Sequence, residues 1–190
     1  MARDKTQTKA RERAQERAEF AEFVTARSAA LHRAAYLIVG DRSLAQDLVQ
    51  EALTKTYAAW PRLHDKGNAE AYTRKAITTT AISWFRRKGW SHERSTADPP
   101  DRPTAGHDDQ VALSTWLWEC LMALPVRQRA AIVLRYYEDL TEAQTAETMG
   151  CAVGTVKSQV SAGLDKLRRQ LGDDADLLPL DTLTTGQVTR

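Results

Sequence analysis

The sequence predicts an all-α protein: two small helical domains joined by a flexible, acidic, Pro-rich linker, the second containing a helix-turn-helix. Two observations carry this. Apolar residues recur at helical spacing on both sides of residues 89–109, with no stretch of period-two alternation. Residues 125–171 then hold three helical patterns in succession, with a Gly-marked turn between the second and third.

The 190 residues carry a formal charge of +2, so gross charge says little about partners and its distribution says more. Residues 1–18 are built mainly of Lys, Arg, Glu, Gln and Ala and form a frayed or disordered arm. The polar, mixed-charge N-terminus and the lack of a long apolar run argue against a signal peptide and a membrane span, which places the protein in the cytoplasm. Cys120 and Cys151 have no metal-ligand neighbours at useful spacing and read as buried thiols. His32, His64, His92 and His107 are isolated, and no HExxH or Gly-rich loop occurs. The expectation is a non-enzyme with no catalytic residue, metal or cofactor.

The first domain spans 19–88. Phe20, Phe23, Val24, Leu31, Ala35 and Ile38 return at helical spacing until Gly40. Ser43 is the expected cap of a second helix that turns Leu44, Leu48, Ala52 and Tyr57 inward and stops at Pro61. Asp47, Gln50, Glu51 and Lys55 make a polar stripe on that helix, either a solvated face or a small acidic surface for a basic partner. A third helix runs from about Ala69 to Lys88. Tyr72, Ala76 and Ile77 line its packed side. Elsewhere it carries Arg74, Lys75, Thr78, Thr79 and Ser83, then Trp84, Phe85, Arg86, Arg87 and Lys88. Basic residues at a helix C-terminus suit the macrodipole. Beside two aromatics they also form a stacking surface with a cationic rim, as single-stranded nucleic acid uses.

Residues 89–109 are the linker, with Pro99, Pro100, Pro103 and five acidic residues against two arginines. The second domain covers 110–171 and leaves a tail at 172–190. Its first helix aligns Leu113, Leu117, Leu121 and Leu124 before Pro125. The next, about Val126 to Glu138, repeats Ala130, Val133, Leu134 and Tyr137 on one face. Thr141 with Gln144 predicts a capping box, and Gly150 a turn. The last helix starts near Gly154 and buries Val156, Val160, Leu164, Leu167 and Leu171. Thr155, Lys157, Ser158, Gln159 and Arg168 are left for a groove. Pattern alone leaves groove binding and a plain helical hairpin both open.

DLVQE, the run AYTRKAITTTAISWFRRK, and GTVKS followed by GLDKLRR together resemble the extracytoplasmic-function group of the sigma-70 family of bacterial RNA polymerase sigma factors, in particular its actinobacterial SigE-type subgroup. The resemblance covers about residues 20–88 and 110–170. It implies a promoter-specificity subunit in which Asp47, Gln50, Glu51 and Lys55 meet core RNA polymerase. It assigns Arg74, Lys75, Thr78, Thr79, Ser83, Trp84, Arg86, Arg87 and Lys88 to melted −10 promoter DNA. Thr155, Lys157, Ser158, Gln159 and Arg168 fall to −35 duplex. An anti-sigma factor is a further implied partner. The sequence departs from the family pattern at Thr79 and Ser83, where Asn and Asp are frequent, at Ala152, usually Ser, and at Ala162, commonly Arg. The last two departures imply weakened or altered −35 binding. The alternative is a stand-alone helix-turn-helix regulator of duplex operators; a helical adaptor and an RNA-binding protein are more remote.

Overall fold

A computed structural model describes residues 2–63, 66–87 and 116–171, and all regular structure among them is helical. Lys88, the linker at 89–109 and the tail at 172–190 lie outside the described residues. In chain order the helices are α1 (Ala2–Val39), α2 (Arg42–Ala59), α3 (Lys66–Arg87), α4 (116–122), α5 (Val126–Ile132), α6 (Glu142–Met149) and α7 (Val153–Leu171).

α1 extends through the segment expected to be a frayed or disordered arm. Ala, Lys, Arg, Glu and Gln all favour helix, and pairs such as Gln15 donating to Glu19 at 2.8 Å add local support. Its later turns bury Phe23, Leu31, Ala35 and Ile38. Gly40 ends it at φ +78°, and a Cβ there would also collide with Met122 Sδ. The cap of α2 is Asp41, not Ser43: its Oδ1 accepts from Leu44 N at 2.8 Å. α2 packs on α1 and α3 through Leu48, Val49 and Ala52, and breaks at Trp60–Arg62 into a 3-10 turn around Pro61. Tyr57, expected inward, is 44% exposed and leans on Phe20 with ring centroids 4.9 Å apart. Tyr72 is likewise mostly outside the core.

In the second half α5 runs directly into a π-helical turn at Val133–Tyr137, closed by Glu138 N donating to Val133 O at 3.0 Å. The wider turn shifts the helical register. Tyr137, expected on the buried face with Ala130, Val133 and Leu134, is therefore 47% exposed. Asp139 at φ +50° then redirects the chain into α6, and the Arg135 guanidinium donates to Leu140 O.

The two halves share one apolar core, in which Leu31, Leu48 and Ile77 join Leu134, Met149 and Val156. Tyr36 of α1 stacks on Trp118 of α4, with centroids 4.7 Å apart and 17° between planes. The C-terminal half is thereby laid against α1 and α3.

Candidate nucleic-acid interface

The helix-turn-helix is built as its sequence dictates. Thr141 Oγ1 accepts from Gln144 N at 3.2 Å, and Gln144 Oε1 accepts from Thr141 N at 2.9 Å, which closes the capping box of α6. Gly150 ends α6 in the left-handed region at φ +63°. α7 then begins at Val153, and Ala152 sits at its N-cap with only a carbonyl to offer, which accepts from Thr155 N at 2.9 Å. Val156, Leu164, Leu167 and Leu171 are buried against α5 and α6. Gly163 lets the helices approach, since a Cβ there would press on Ile132.

The opposite side of α7 faces solvent. Lys157, Ser158 and Arg168 are exposed, and Thr155 and Gln159 are half-buried beside them. Lys157 Nζ lies 3.5 Å from Glu142 Oε2, and Arg168 Nη1 lies 3.5 Å from Asp165 Oδ1. Both pairs are solvent-exposed and weak, so either cation is available to a phosphate.

On α2, Asp47 and Gln50 are exposed. Glu51 is half-buried and accepts from Lys55 at 2.7 Å. Lys55 also donates to Thr80 Oγ1 at 2.9 Å, tying α2 to α3.

The α3 residues divide between two stripes, which the sequence did not separate. Lys75, Thr79, Ser83 and Arg86 follow one another at helical spacing; Ser83 is half-buried and the others are exposed, as is Arg87. Arg74 and Phe85 meet the C-terminal half, and Thr78, one turn on from Arg74, points away from solvent with them. Arg74 Nε donates to Glu138 Oε2 at 2.7 Å, Thr78 is fully buried, and the Phe85 ring lies 5.7 Å from the Arg129 guanidinium carbon. Trp84 is half-buried and packs against the core.

Arg129 and Glu138 are the residues that sequence reasoning missed. Arg129 is 4% exposed, donates to Met122 O and Sδ, each at 3.0 Å, and leaves its Nε without a partner. Burial pushes its pKa down to about 10, so it stays charged at neutral pH. Its spacing from Ile132 and Val133, three and four residues, places it on the apolar face and was a readable signal. Glu138 carried no such signal. Among the described residues no cluster of His, Cys, Asp and Glu is arranged to hold a metal, and no helix is long and apolar enough to cross a membrane.

Residues 23–91 match Sigma-70 region 2, and residues 114–167 match Sigma-70, region 4. The RNA polymerase sigma-E factor of Streptomyces coelicolor is 37% identical over 153 residues, which cover 80% of this chain and 86% of that protein. The chain belongs to the extracytoplasmic-function group of the sigma-70 family. The extracytoplasmic-function RNA polymerase sigma factor SigE of Mycolicibacterium smegmatis is 27% identical over 158 residues, 79% of this chain and 60% of that one. A solved structure of the sigma factor RpoE in complex with the anti-sigma factor NepR, from Bartonella quintana, is similar in fold. Its TM-score is 0.63 at 25% identity, covering 82% of this chain and 98% of that chain. The region 2 match of this sigma-70 family member takes in α2, α3 and the latter part of α1, and the region 4 match takes in α4, α5, α6 and most of α7.

Proposed function

We propose that the protein is a promoter-specificity subunit of RNA polymerase that performs no chemistry of its own. The carrying observation is the pair of sigma-70 region matches, one on the α2–α3 unit and the other on a helix-turn-helix whose α7 keeps a polar, partly basic face in solvent. In this reading Asp47, Gln50, Glu51 and Lys55 of α2 dock on core polymerase. α3 takes the melted −10 strand, its cations against phosphates and its aromatics beside unstacked bases, and the same reading counts Lys88 among those cations. α7 enters the −35 major groove with Gln159 able to read adenine through two hydrogen bonds, and with Lys157 and Arg168 nearer phosphates. Two weak DNA modules gain affinity when one chain and one polymerase hold both, which suits a net charge of only +2. The division into 19–88 and 110–171 about a linker belongs to the same reading. So do a cytoplasmic location and control by an anti-sigma factor, the partner type with which the Bartonella neighbour was solved.

The test is run-off transcription from a library of randomised promoters with purified core polymerase, using the wild-type chain and Glu51→Arg. Specific initiation by the wild type, lost in the variant, is the expected result. Absence of initiation together with a shift of duplex DNA by the protein alone would establish the stand-alone regulator instead.

A further inference from the structure

Residues 2–22, more than half of α1, precede the region 2 match. The positive charge of the chain is concentrated here. Residues 1–18 carry six cations against three carboxylates, and the rest of the chain carries 21 against 22. In the sequence Lys5, Lys9, Arg13 and Arg17 follow at intervals of four, the spacing of one helix ridge. Aromatic rings pin this arm to the body. The Phe20 ring lies 4.9 Å from Tyr57 and 5.0 Å, edge-on, from Trp60, and Phe23 lies 5.5 Å from Trp60. These contacts fix the direction in which the arm leaves. At that point Arg13, Arg17, Tyr57, Trp60 and Pro61 line a notch of about 220 Å³. Glu16 is the one carboxylate in the lining, so the notch is left positive. Arg13, Arg17 and Tyr57 are exposed.

The notch continues the exposed side of α2. Asp47, Gln50, Thr54 and Tyr57 all face solvent, and their spacings of three, four and three place them on one side of the helix. That side is acidic at its Asp47 end. About 15 Å on, at Tyr57, it is aromatic and flanked by two arginines. We propose that the arm is a second docking element for core RNA polymerase: Arg13, Arg17 and Tyr57 extend the α2 face onto an acidic patch of the polymerase, opposite in sign to the surface that receives Asp47 and Glu51. Continuity selects the partner. A protein that covers α2 from Asp47 to Tyr57 also covers the notch, while the −10 and −35 residues lie on α3 and α7. Exposed Tyr and Arg are the side chains that carry most of the binding energy at protein interfaces. Opposite charges at the two ends of one face favour a single orientation of the partner and oppose the reversed one. The proposal rests on the sigma reading of α2.

The test measures affinity of the intact chain for purified core polymerase at several salt concentrations. Anisotropy on a labelled single-stranded oligonucleotide of mixed sequence is measured in parallel. Arg13→Glu and Arg17→Glu are each expected to weaken polymerase binding by about fivefold and to lower its salt dependence. Arg11→Glu, the same charge change at an exposed site on the opposite side of the helix, is expected to shift it by less than about twofold. Tyr57→Ala is expected to weaken binding by about tenfold. Equal losses in Arg11→Glu and Arg17→Glu, or no loss in the Arg13 and Arg17 variants, overturns the proposal. Weakened oligonucleotide binding with polymerase affinity intact also overturns it and makes the notch a nucleic-acid contact. Tyr57 packs on Phe20, so a lowered melting temperature in Tyr57→Ala leaves the decision to the arginine variants. Failure of the wild-type chain to bind polymerase overturns the sigma reading and this proposal with it. Binding that Glu51→Arg weakens and the arginine variants do not overturns this proposal alone.

Discussion

Thr56 of α2 and Thr73 of α3 meet hydroxyl to hydroxyl at 2.8 Å, both fully buried. Each also reaches the carbonyl four residues back, Ala52 O at 2.8 Å and Ala69 O at 2.7 Å. Two hydroxyl protons face three contacts, so at any moment two of them carry a hydrogen bond and the third is without a proton. The pair fixes the register of the proposed polymerase-docking helix against the proposed −10 helix. Thr56→Val and Thr73→Val are each expected to cost about 1 kcal/mol. The double variant costs less than the sum, because each single variant already loses the hydroxyl–hydroxyl contact and the double loses it only once. Urea unfolding of the four chains as a double-mutant cycle measures this.

Ala152 leaves the first turn of α7 without a side-chain acceptor, and the site is exposed. Ala152→Ser is expected to stabilise the protein by about 1 kcal/mol, a rise of roughly 2–4 °C in melting temperature. A serine there that leaves the melting temperature unchanged means that the free N–H groups of this turn are already satisfied by water.

Gln159 and Lys157 should fail in different ways. Gln159→Ala is expected to lose about 1–3 kcal/mol of discrimination at one −35 base pair while the salt dependence of binding holds. Lys157→Ala should weaken all duplex sequences alike and lower the slope of log K against log salt by about 1. Titrations of holoenzyme on selected and mismatched −35 duplexes at several salt concentrations separate the two.

Cys120 is buried on α4, and both that burial and the neighbouring Glu119 carboxylate push its thiol above the usual range. Cys151 is half-exposed at the turn before α7. Alkylation of the native protein is expected to modify Cys151 first, with Cys120 at least about tenfold slower. Peptide mass spectrometry over a time course reads the order, and the opposite order would show that α4 opens far more readily than its packing suggests.

Local rules made much of this molecule readable in advance. The capping box at Thr141 and Gln144 and the left-handed turn at Gly150 depend on residues within one turn of each other, as does the buried stripe from Val156 to Leu171. Side-chain chemistry and backbone freedom suffice to specify such features. Where a local choice was close, the sequence misled. Asp41 and Ser43 both cap well, and the geometry after Gly40 selected the aspartate. Tyr137 has the spacing of a core residue, but one π turn carries it to the surface, where its hydroxyl accepts from Arg33 Nε at 3.1 Å.

The sequence by itself determined the helices, their order, the solvent face of α7 and the family to which the chain belongs, since each rests on short-range periodicity or contiguous strings. Tertiary structure alone decided how the basic face of α3 is used. Lys75, Thr79 and Arg86 look outward, while on the same helix and of the same residue types Arg74 lies beneath Glu138 and Thr78 is fully buried. Glu138 is 64 residues from Arg74. Pairing over that distance follows from the shared core that docks one half on the other, and no periodicity within either helix encodes it.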